Sequence, residues 1–148
     1  MVVALIAFHG IRLGHLQRLK LTDIVDGRIS IDGRTFPLAA PVRERLAAWL
    51  DYRAQRWPNT TNDYLFVNKR SVYRDCPVGT RWFRLAIGPG LTPRQLREDR
   101  ILSEAHATGG DVRAISDLFG LSISASSRYA YTLEPDDLAT GSPTRDTT

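Results

Sequence analysis

Residues 28–38 have the sequence RISIDGRTFPL, which interrupts the helical spacing on either side of them. Ile29 and Ile31 alternate with polar residues, and this two-residue period is typical of a strand with one buried face. Asp32-Gly33 between the two runs predicts a hairpin, because both positions of its tight turn need positive φ. Pro37 favours an edge strand or the end of a strand, because it has no N–H to donate.

The segments around this hairpin have apolar residues at helical spacing. Residues 2–8 fit a short helix or a buried strand, residues 64–67 a short strand, and Thr92 is expected to cap a helix that begins at Pro93. With the helix that begins at Pro93 included, further helices are predicted over residues 12–21, 41–56, 77–87, 93–106, 111–119 and 122–131. We therefore expect an α+β class that is mainly α-helical, with one small antiparallel sheet.

Composition restricts the class of protein. The chain has 148 residues, 43% of them apolar, which suits one domain over residues 1–133. Residues 134–148 are predicted to be a disordered tail. The single cysteine, Cys76, excludes an internal disulfide and fits a reducing cytoplasm. No apolar run approaches the roughly 20 residues that span a bilayer. The net charge of +4 permits a polyanionic partner.

Three stretches combine an arginine or a tyrosine with small and branched apolar residues. Residues 9–16 are HGIRLGHL, followed by LKLTDI at 19–24, and residues 91–97 are LTPRQLR. Residues 111–131 contain LFGLS and then SSRYAY. Taken in this order, with a hairpin after the first, they resemble the catalytic domain of the tyrosine recombinase (phage integrase) family.

The resemblance implies specific roles. Arg12 matches the first catalytic arginine and Arg97 the second, while Tyr129 matches the nucleophile and Tyr131 is the second choice. Two arginines can hold the non-bridging oxygens of a phosphodiester through forked, permanently charged donors. The family breaks and rejoins DNA at specific sites through a 3′-phosphotyrosyl link, which needs neither a metal nor another cofactor. Double-stranded DNA is then the partner, and a homo-oligomer would form on it.

The sequence departs from the family pattern where protons are moved. Arg94 stands where the family has a histidine, and Leu121 stands at a second histidine position. The hairpin carries Arg28 and Arg34 but no lysine, and arginine is a poor general acid because it stays protonated. Each lost proton carrier costs about 10²–10⁴-fold in rate. The enzyme class is therefore left open between slow cleavage and DNA binding without cleavage. The alternative proton carriers in this sequence are His9, His15 and His106.

DNA contacts outside the catalytic residues are expected at Arg28, Arg34, Ser127 and Arg128. Family members also have an amino-terminal clamp domain, and because the sequence starts within the first catalytic helix, we expect that clamp to be missing.

An alternative is a helix-turn-helix regulatory protein over residues 111–129, with Ser122 capping the recognition helix. Its base or phosphate contacts would come from Ser124, Ser126, Ser127 and Arg128. A structural or interaction protein without a DNA role is the other alternative.

Overall fold

The computed structural model describes residues 1–132, which form seven α-helices and one three-stranded antiparallel sheet. The helices are α1 (Val2–His9), α2 (Leu13–Arg18), α3 (Ala40–Arg56), α4 (Thr80–Ile87), α5 (Pro93–Ala107), α6 (Val112–Phe119) and α7 (Ile123–Tyr131). The strands are β1 (Ile24–Val25), β2 (Arg28–Ile31) and β3 (Arg34–Pro37). The predicted α+β, mainly helical class is confirmed. The predicted disordered tail lies outside the described residues.

The chain divides into two compact units, Met1–Arg100 and the residues from Ile101 onward. The first unit contains α1 to α4, the sheet and the first half of α5. The second contains the end of α5 with α6 and α7. Among residues 1–132, no helix combines the length and the apolar character needed to cross a membrane.

The sheet is built from two Asp-Gly turns. The predicted hairpin is confirmed: Asp32 and Gly33 have φ of 50° and 74°, and Ile29 pairs with Phe36 across β2 and β3. A second turn at Asp26-Gly27, with φ of 50° and 70°, adds β1 to the other edge of β2. That third strand was not predicted, because two residues are too few to show an alternating pattern.

The core of the first unit forms around α1, which is apolar on every side. α1 packs against α3 and α4 and buries Val2, Ala4, Leu5 and Ile6, while Phe8 is exposed. It ends at Gly10, whose left-handed conformation (φ 60°) lets its N–H donate to the carbonyl of Ile6. The fully buried side chains of this core include Leu5, Ile6, Leu16, Ile29, Val42, Leu65, Phe66 and Phe83.

Three predicted elements differ from the structure. Residues 64–67 form no strand; they make one isolated antiparallel bridge, Lys20 with Tyr64, and bury Leu65 and Phe66. The apolar run reflects burial on both sides, which periodicity cannot separate from a strand. The helix predicted at 77–87 begins at Thr80, and the one predicted at 12–21 is only Leu13–Arg18, followed by a 3₁₀ turn at Leu21–Asp23.

Asn62 organises the irregular segment that precedes α4. Its side chain is buried, and its Nδ2 lies 2.8, 2.7 and 3.0 Å from the carbonyl oxygens of Ser71, Arg74 and Cys76, which share its two hydrogens. Its Oδ1 accepts from the N–H of Tyr64 at 2.9 Å. One amide thus satisfies main-chain groups that no helix or strand satisfies in this segment.

The second unit is organised by helix caps. Asp111 Oδ1 accepts from the N–H groups of Arg113 and Ala114 at the start of α6. Ser122 Oγ accepts from the N–H of Ala125 at the start of α7. Among residues 101–132, the buried apolar side chains are Ile101, Ala105, Ile115 and Phe119, and Ser126 on α7 is fully buried as well.

Candidate functional site

Arg12 lies at the start of α2, directly after the turn that ends α1. Its backbone is extended (φ −70°, ψ 146°), and its carbonyl accepts from the N–H groups of His15 and Leu16. The main chain therefore begins the helix while the side chain points away from the core. The Arg12 side chain is exposed, and it makes no hydrogen bond or ion pair with any residue in the range 1–132.

Arg97 is held against the same turn from α5. Its Nε donates to the carbonyl of Gly10 at 2.7 Å, across 87 positions of sequence. This bond joins α5 to the loop that carries Arg12. The N-terminus of α5 is built as expected: Thr92 Oγ1 accepts from the N–H of Gln95, and Gln95 Oε1 accepts from the N–H of Thr92.

Arg12 and Arg97 line one cavity of about 650 Å³ in the first unit, together with Arg84 and Arg94. We call this the arginine cavity. Its other lining residues are Leu13, Gly88, Leu91, Thr92 and Pro93, so none of its walls is acidic. Four guanidinium groups around one open space strongly favour an anion. Arg84, on α4, was missed by the sequence analysis, because no local motif distinguishes it from other surface arginines.

Arg94 has an acidic partner on its own helix. Its Nε lies 2.7 Å from Oε1 of Glu98 one turn further along α5. This carboxylate offsets part of its charge, and the Arg94 side chain is largely exposed. Arg94 therefore lines the cavity with less charge available to a ligand than Arg12 has.

His15 links α2 to the hairpin turn. Its Nε2 lies 2.8 Å from Oδ2 of Asp32. Burial lowers the pKa of His15, and the charges of Arg18, Arg12 and Arg97 lower it further, while Asp32 raises it. Because the net shift is downward, we assign a neutral imidazole that donates its Nε2–H to the carboxylate.

His9 has a structural role. Its Nε2 accepts from the N–H of Ala39 at the start of α3, and its ring lies 5.5 Å from that of Phe36. Burial and the charge of Arg100 lower its pKa, which keeps this nitrogen available as an acceptor. His106 is exposed on α5, in the second unit.

The hairpin carries its two arginines at opposite ends of the ladder. Arg28 pairs with Pro37, and Arg34 pairs with Ile31. Arg28 is exposed and Arg34 is half-buried. Lys20, which precedes the sheet, is an ion-pair partner of Asp63 at 2.9 Å.

Tyr129 lies on α7, in the second unit. It is half-buried and packs against the cluster of Ile101, Ala105, Ile115 and Phe119, whereas 69% of Tyr131 is exposed. Ser127 donates its hydroxyl to the carbonyl of Ile123, and Arg128 is exposed. The roles of Arg12, Arg94, Arg97 and Tyr129, and the contacts of Arg28, Arg34, Ser127 and Arg128 with DNA, remain predictions.

Two other predictions concern binding groups. Among residues 1–132, no three His, Cys, Asp or Glu side chains come together as a group that could hold a metal ion; the expectation that no metal or cofactor is used remains a prediction. α6 and α7 are two helices separated by Gly120, Leu121 and Ser122, as the helix-turn-helix alternative requires. Whether that pair binds DNA also remains a prediction.

Comparisons with known proteins identify the fold. No protein-family model and no curated protein sequence matches the chain. Among solved structures, it resembles XerA recombinase with a TM-score of 0.69 and 29% identity, over 93% of this chain and 54% of that one.

Two structures of XerH site-specific recombinase with its difH substrate also match. The post-cleavage complex has a TM-score of 0.66 at 19% identity, covering 90% of this chain and 42% of that one. The pre-cleavage complex has a TM-score of 0.65 at 20% identity, covering 94% and 44%. The chain thus spans about half the length of these recombinases. Its fold is that of a tyrosine recombinase catalytic domain.

Proposed function

We propose that this chain binds duplex DNA and breaks and rejoins it at a specific site in the manner of a tyrosine recombinase. The observation that carries the proposal is the arginine cavity, where Arg12, Arg84 and Arg97 surround an open space without an acidic wall. A phosphodiester has one negative charge, and its pentacoordinate transition state concentrates more charge on the non-bridging oxygens. Forked guanidinium donors match those oxygens in geometry and in charge.

Tyr129 is the proposed nucleophile. Its hydroxyl oxygen forms a bond to phosphorus while the bond from phosphorus to the 5′-oxygen breaks, and the phenolic proton is lost. The products are a 3′-phosphotyrosyl link and a 5′-hydroxyl that has taken up a proton. Attack by that hydroxyl on the link reverses the step and rejoins a strand. No oxidant or energy source is needed, because one phosphodiester replaces another.

The remaining predicted residues support binding of DNA. Arg28 on the hairpin and Arg128 on α7 are exposed cations suited to backbone phosphates. Arg34, on the same hairpin as Arg28, and Ser127, next to Arg128 in the sequence, are assigned the same role. We also propose that a second copy of the chain binds the same duplex, because exchange of strands requires two cut sites.

The chemistry should be slow with an ordinary 5′-hydroxyl leaving group. Neither Arg94 nor the hairpin arginines release a proton readily. A DNA substrate with a 5′-bridging phosphorothiolate avoids this need, because a thiolate leaves without protonation. We would incubate the protein with such DNA in the presence of a chelator, resolve covalent adducts on a denaturing gel and map them by mass spectrometry.

An adduct at Tyr129 is the expected result, and it should be absent in Tyr129→Phe but retained in Tyr131→Phe. An adduct at Tyr131 would correct the assignment of the nucleophile. If the DNA is bound and no adduct forms, the proposed cleavage is wrong and binding alone remains. An adduct that forms only when divalent metal is added would contradict the proposed metal-free reaction.

The second candidate is a helix-turn-helix regulator, favoured by the capped α6–α7 pair and by the exposed Ser124 and Arg128 on α7. A Ser124→Ala, Ser127→Ala, Arg128→Ala variant separates the two candidates. A regulator should lose its preference for one DNA sequence in a selection experiment. A recombinase should keep that preference and lose mainly the geometry of its site around Tyr129.

A further inference from the structure

A second cavity, of about 220 Å³, has four aromatic residues among the eight that line it. We call it the aromatic cavity; its lining includes Trp49, Tyr52, Trp57, Trp82, Arg56 and Lys69. Trp49, Tyr52 and Arg56 lie on one face of α3, because they follow each other at three- and four-residue spacing. Trp57 follows the end of α3, Trp82 comes from α4, and Lys69 comes from the segment that Asn62 organises.

The rings form one connected group. The centroids of Trp49 and Tyr52 are 5.8 Å apart, those of Tyr52 and Trp57 are 6.0 Å apart, and those of Trp49 and Trp82 are 6.3 Å apart. Trp49 and Trp82 are packed against the core and form the floor. Tyr52 is 51% exposed and stands at the edge, where a planar ligand can reach it.

The polar groups of the cavity select an anionic ligand. Arg56 lies over the ring of Trp57 at 5.7 Å, and Lys69 is exposed. Neither cation has an acidic partner within residues 1–132, and no lining residue is acidic. The indole N–H of Trp49 donates to the carbonyl of Leu65 at 2.9 Å. The indoles of Trp57 and Trp82 donate to no acceptor in the described part of the chain.

These features together exclude two common ligands of aromatic cages. A quaternary ammonium group would be repelled by Arg56 and Lys69, although its cation–π contacts would be favourable. A purely apolar group would contact the rings but would make no use of the two cations or of the indole donors. A planar ring joined to a phosphate satisfies the aromatic walls, the donors and the cations at once.

We propose that the aromatic cavity binds one unstacked nucleotide, with its base against the rings and its phosphate near Arg56 and Lys69. Stacking of bases on aromatic side chains beside a basic groove is how proteins hold single strands without regard to sequence. The cavity is smaller than the roughly 300–1,000 Å³ of sites for drug-sized ligands, which limits it to one base. Its lining shares no residue with the arginine cavity, so it does not depend on the function proposed above.

Tryptophan fluorescence offers a direct test, because all three tryptophans of the chain line this cavity. The protein is titrated at low salt with a short oligothymidylate, with an abasic oligonucleotide of equal length, with thymidine monophosphate and with a duplex. We expect the oligothymidylate to quench the emission in a saturable way and the abasic strand and the duplex to quench it weakly. Quenching by the monophosphate at equal affinity would identify a free nucleotide as the ligand; tighter binding of the oligonucleotide would identify a single strand.

Two variants test the assigned contacts. Tyr52→Ala removes one ring and should weaken binding of the oligothymidylate about fivefold or more, since one stacked base contributes about 5- to 150-fold in affinity. Lys69→Ala should weaken it and reduce its dependence on salt. The matched controls are Tyr73→Ala, which removes a tyrosine that is 80% exposed and outside the cavity, and Arg45→Ala on the exposed side of α3.

Circular dichroism establishes that each variant is folded, and Tyr52→Leu, which keeps an apolar side chain, provides a second variant if Tyr52→Ala is unstable. The proposal is overturned if the folded protein shows no quenching. It is equally overturned if the abasic strand quenches as strongly as the oligothymidylate, since phosphate contacts alone would then explain the signal. Equal effects of the controls and of the cavity variants would also overturn it.

Discussion

The imidazole Nε2 of His15 lies 2.8 Å from Oδ2 of Asp32, so a side chain of α2 is joined to the tip of the hairpin. The pKa of His15 is nevertheless lowered, first by burial and then by Arg18, Arg12 and Arg97. Asp32 opposes these effects without overcoming them. The histidine is therefore linked electrostatically to two arginines of the arginine cavity, and its protonation should respond to whatever binds there.

The first prediction concerns stability at acid pH. Because folding lowers the pKa of His15, the unfolded chain binds more protons than the folded chain between the lowered value and the ordinary value of about 6.5. The contribution of neutral His15 to the free energy of unfolding is complete above pH 6.5 and is lost as the pH falls below that value. Urea unfolding at pH 7.5 and pH 5 should show a smaller loss of stability for His15→Gln than for the unmodified chain.

The glutamine can still donate to Asp32 and does not titrate, so the comparison isolates protonation. His106→Gln, at an exposed position of α5, is the control and should lose as much stability as the unmodified chain. An equal pH dependence for His15→Gln would show that His15 is not a source of this loss.

The second prediction concerns binding of phosphate. An anion between Arg12 and Arg97 offsets two of the charges that lower the pKa of His15, so that pKa should rise on binding. Titration of the His15 ring protons by NMR, with and without inorganic phosphate or a short duplex, measures the change. His9, whose pKa is lowered by burial and by Arg100, should move less. An unchanged pKa of His15 at a saturating concentration of duplex would show that the phosphate binds elsewhere.

The third prediction concerns duplex affinity. Arg12→Ala with Arg97→Ala should weaken binding, and the slope of log K against log salt should fall by about 2, as expected when two phosphate contacts are lost. Arg84→Ala tests the arginine that only the folded chain brings to the cavity. Fluorescence anisotropy over a range of salt concentrations measures both effects. Arg45→Ala should leave the slope unchanged; a loss equal to that of the double variant would indicate a general charge effect.

The fourth prediction concerns the segment between α3 and α4. Asn62→Ala removes the donor of three main-chain carbonyls and the acceptor of one N–H, all in a partly or fully buried setting. We expect a loss of about 2–4 kcal/mol in the free energy of unfolding, with faster amide exchange in residues 62–79. Asn59→Ala, at an exposed position, should change stability by less than about 0.5 kcal/mol. Equal free energies of unfolding for Asn62→Ala and the unmodified chain would show that solvent replaces these hydrogen bonds.

The fifth prediction compares two glycines. Gly33 has φ of 74°, so Gly33→Ala should destabilise the hairpin by about 1–2 kcal/mol. Gly14 lies in α2, and a Cβ there meets nothing within 4 Å, so Gly14→Ala should stabilise the chain by up to about 1 kcal/mol. Thermal and denaturant unfolding measure both changes. Effects of the same sign would contradict the assignment of these two backbone conformations.

Much of the fold was predictable because the decisive interactions are local. The Asp32-Gly33 turn and the caps at Thr92, Asp111 and Ser122 each involve residues within three or four positions of one another. The secondary structure of residues 64–67 was predicted wrongly, because their apolar run reflects burial against core residues that are distant in sequence. The same limit applies to the candidate site: Arg12 and Arg97 were identified by resemblance, while nothing in the sequence around Arg84 marks it.

The sequence by itself determined the hairpin turn and the starts of α5, α6 and α7, because turn conformations and cap hydrogen bonds depend on side chains a few residues apart. Only the tertiary structure decided which of the 20 lysines and arginines share a cavity. The bond from Arg97 to Gly10 spans 87 residues, and the three tryptophans come from two helices and the turn after one of them. Such groupings arise from packing of the whole core, which brings together residues whose local sequences do not distinguish them.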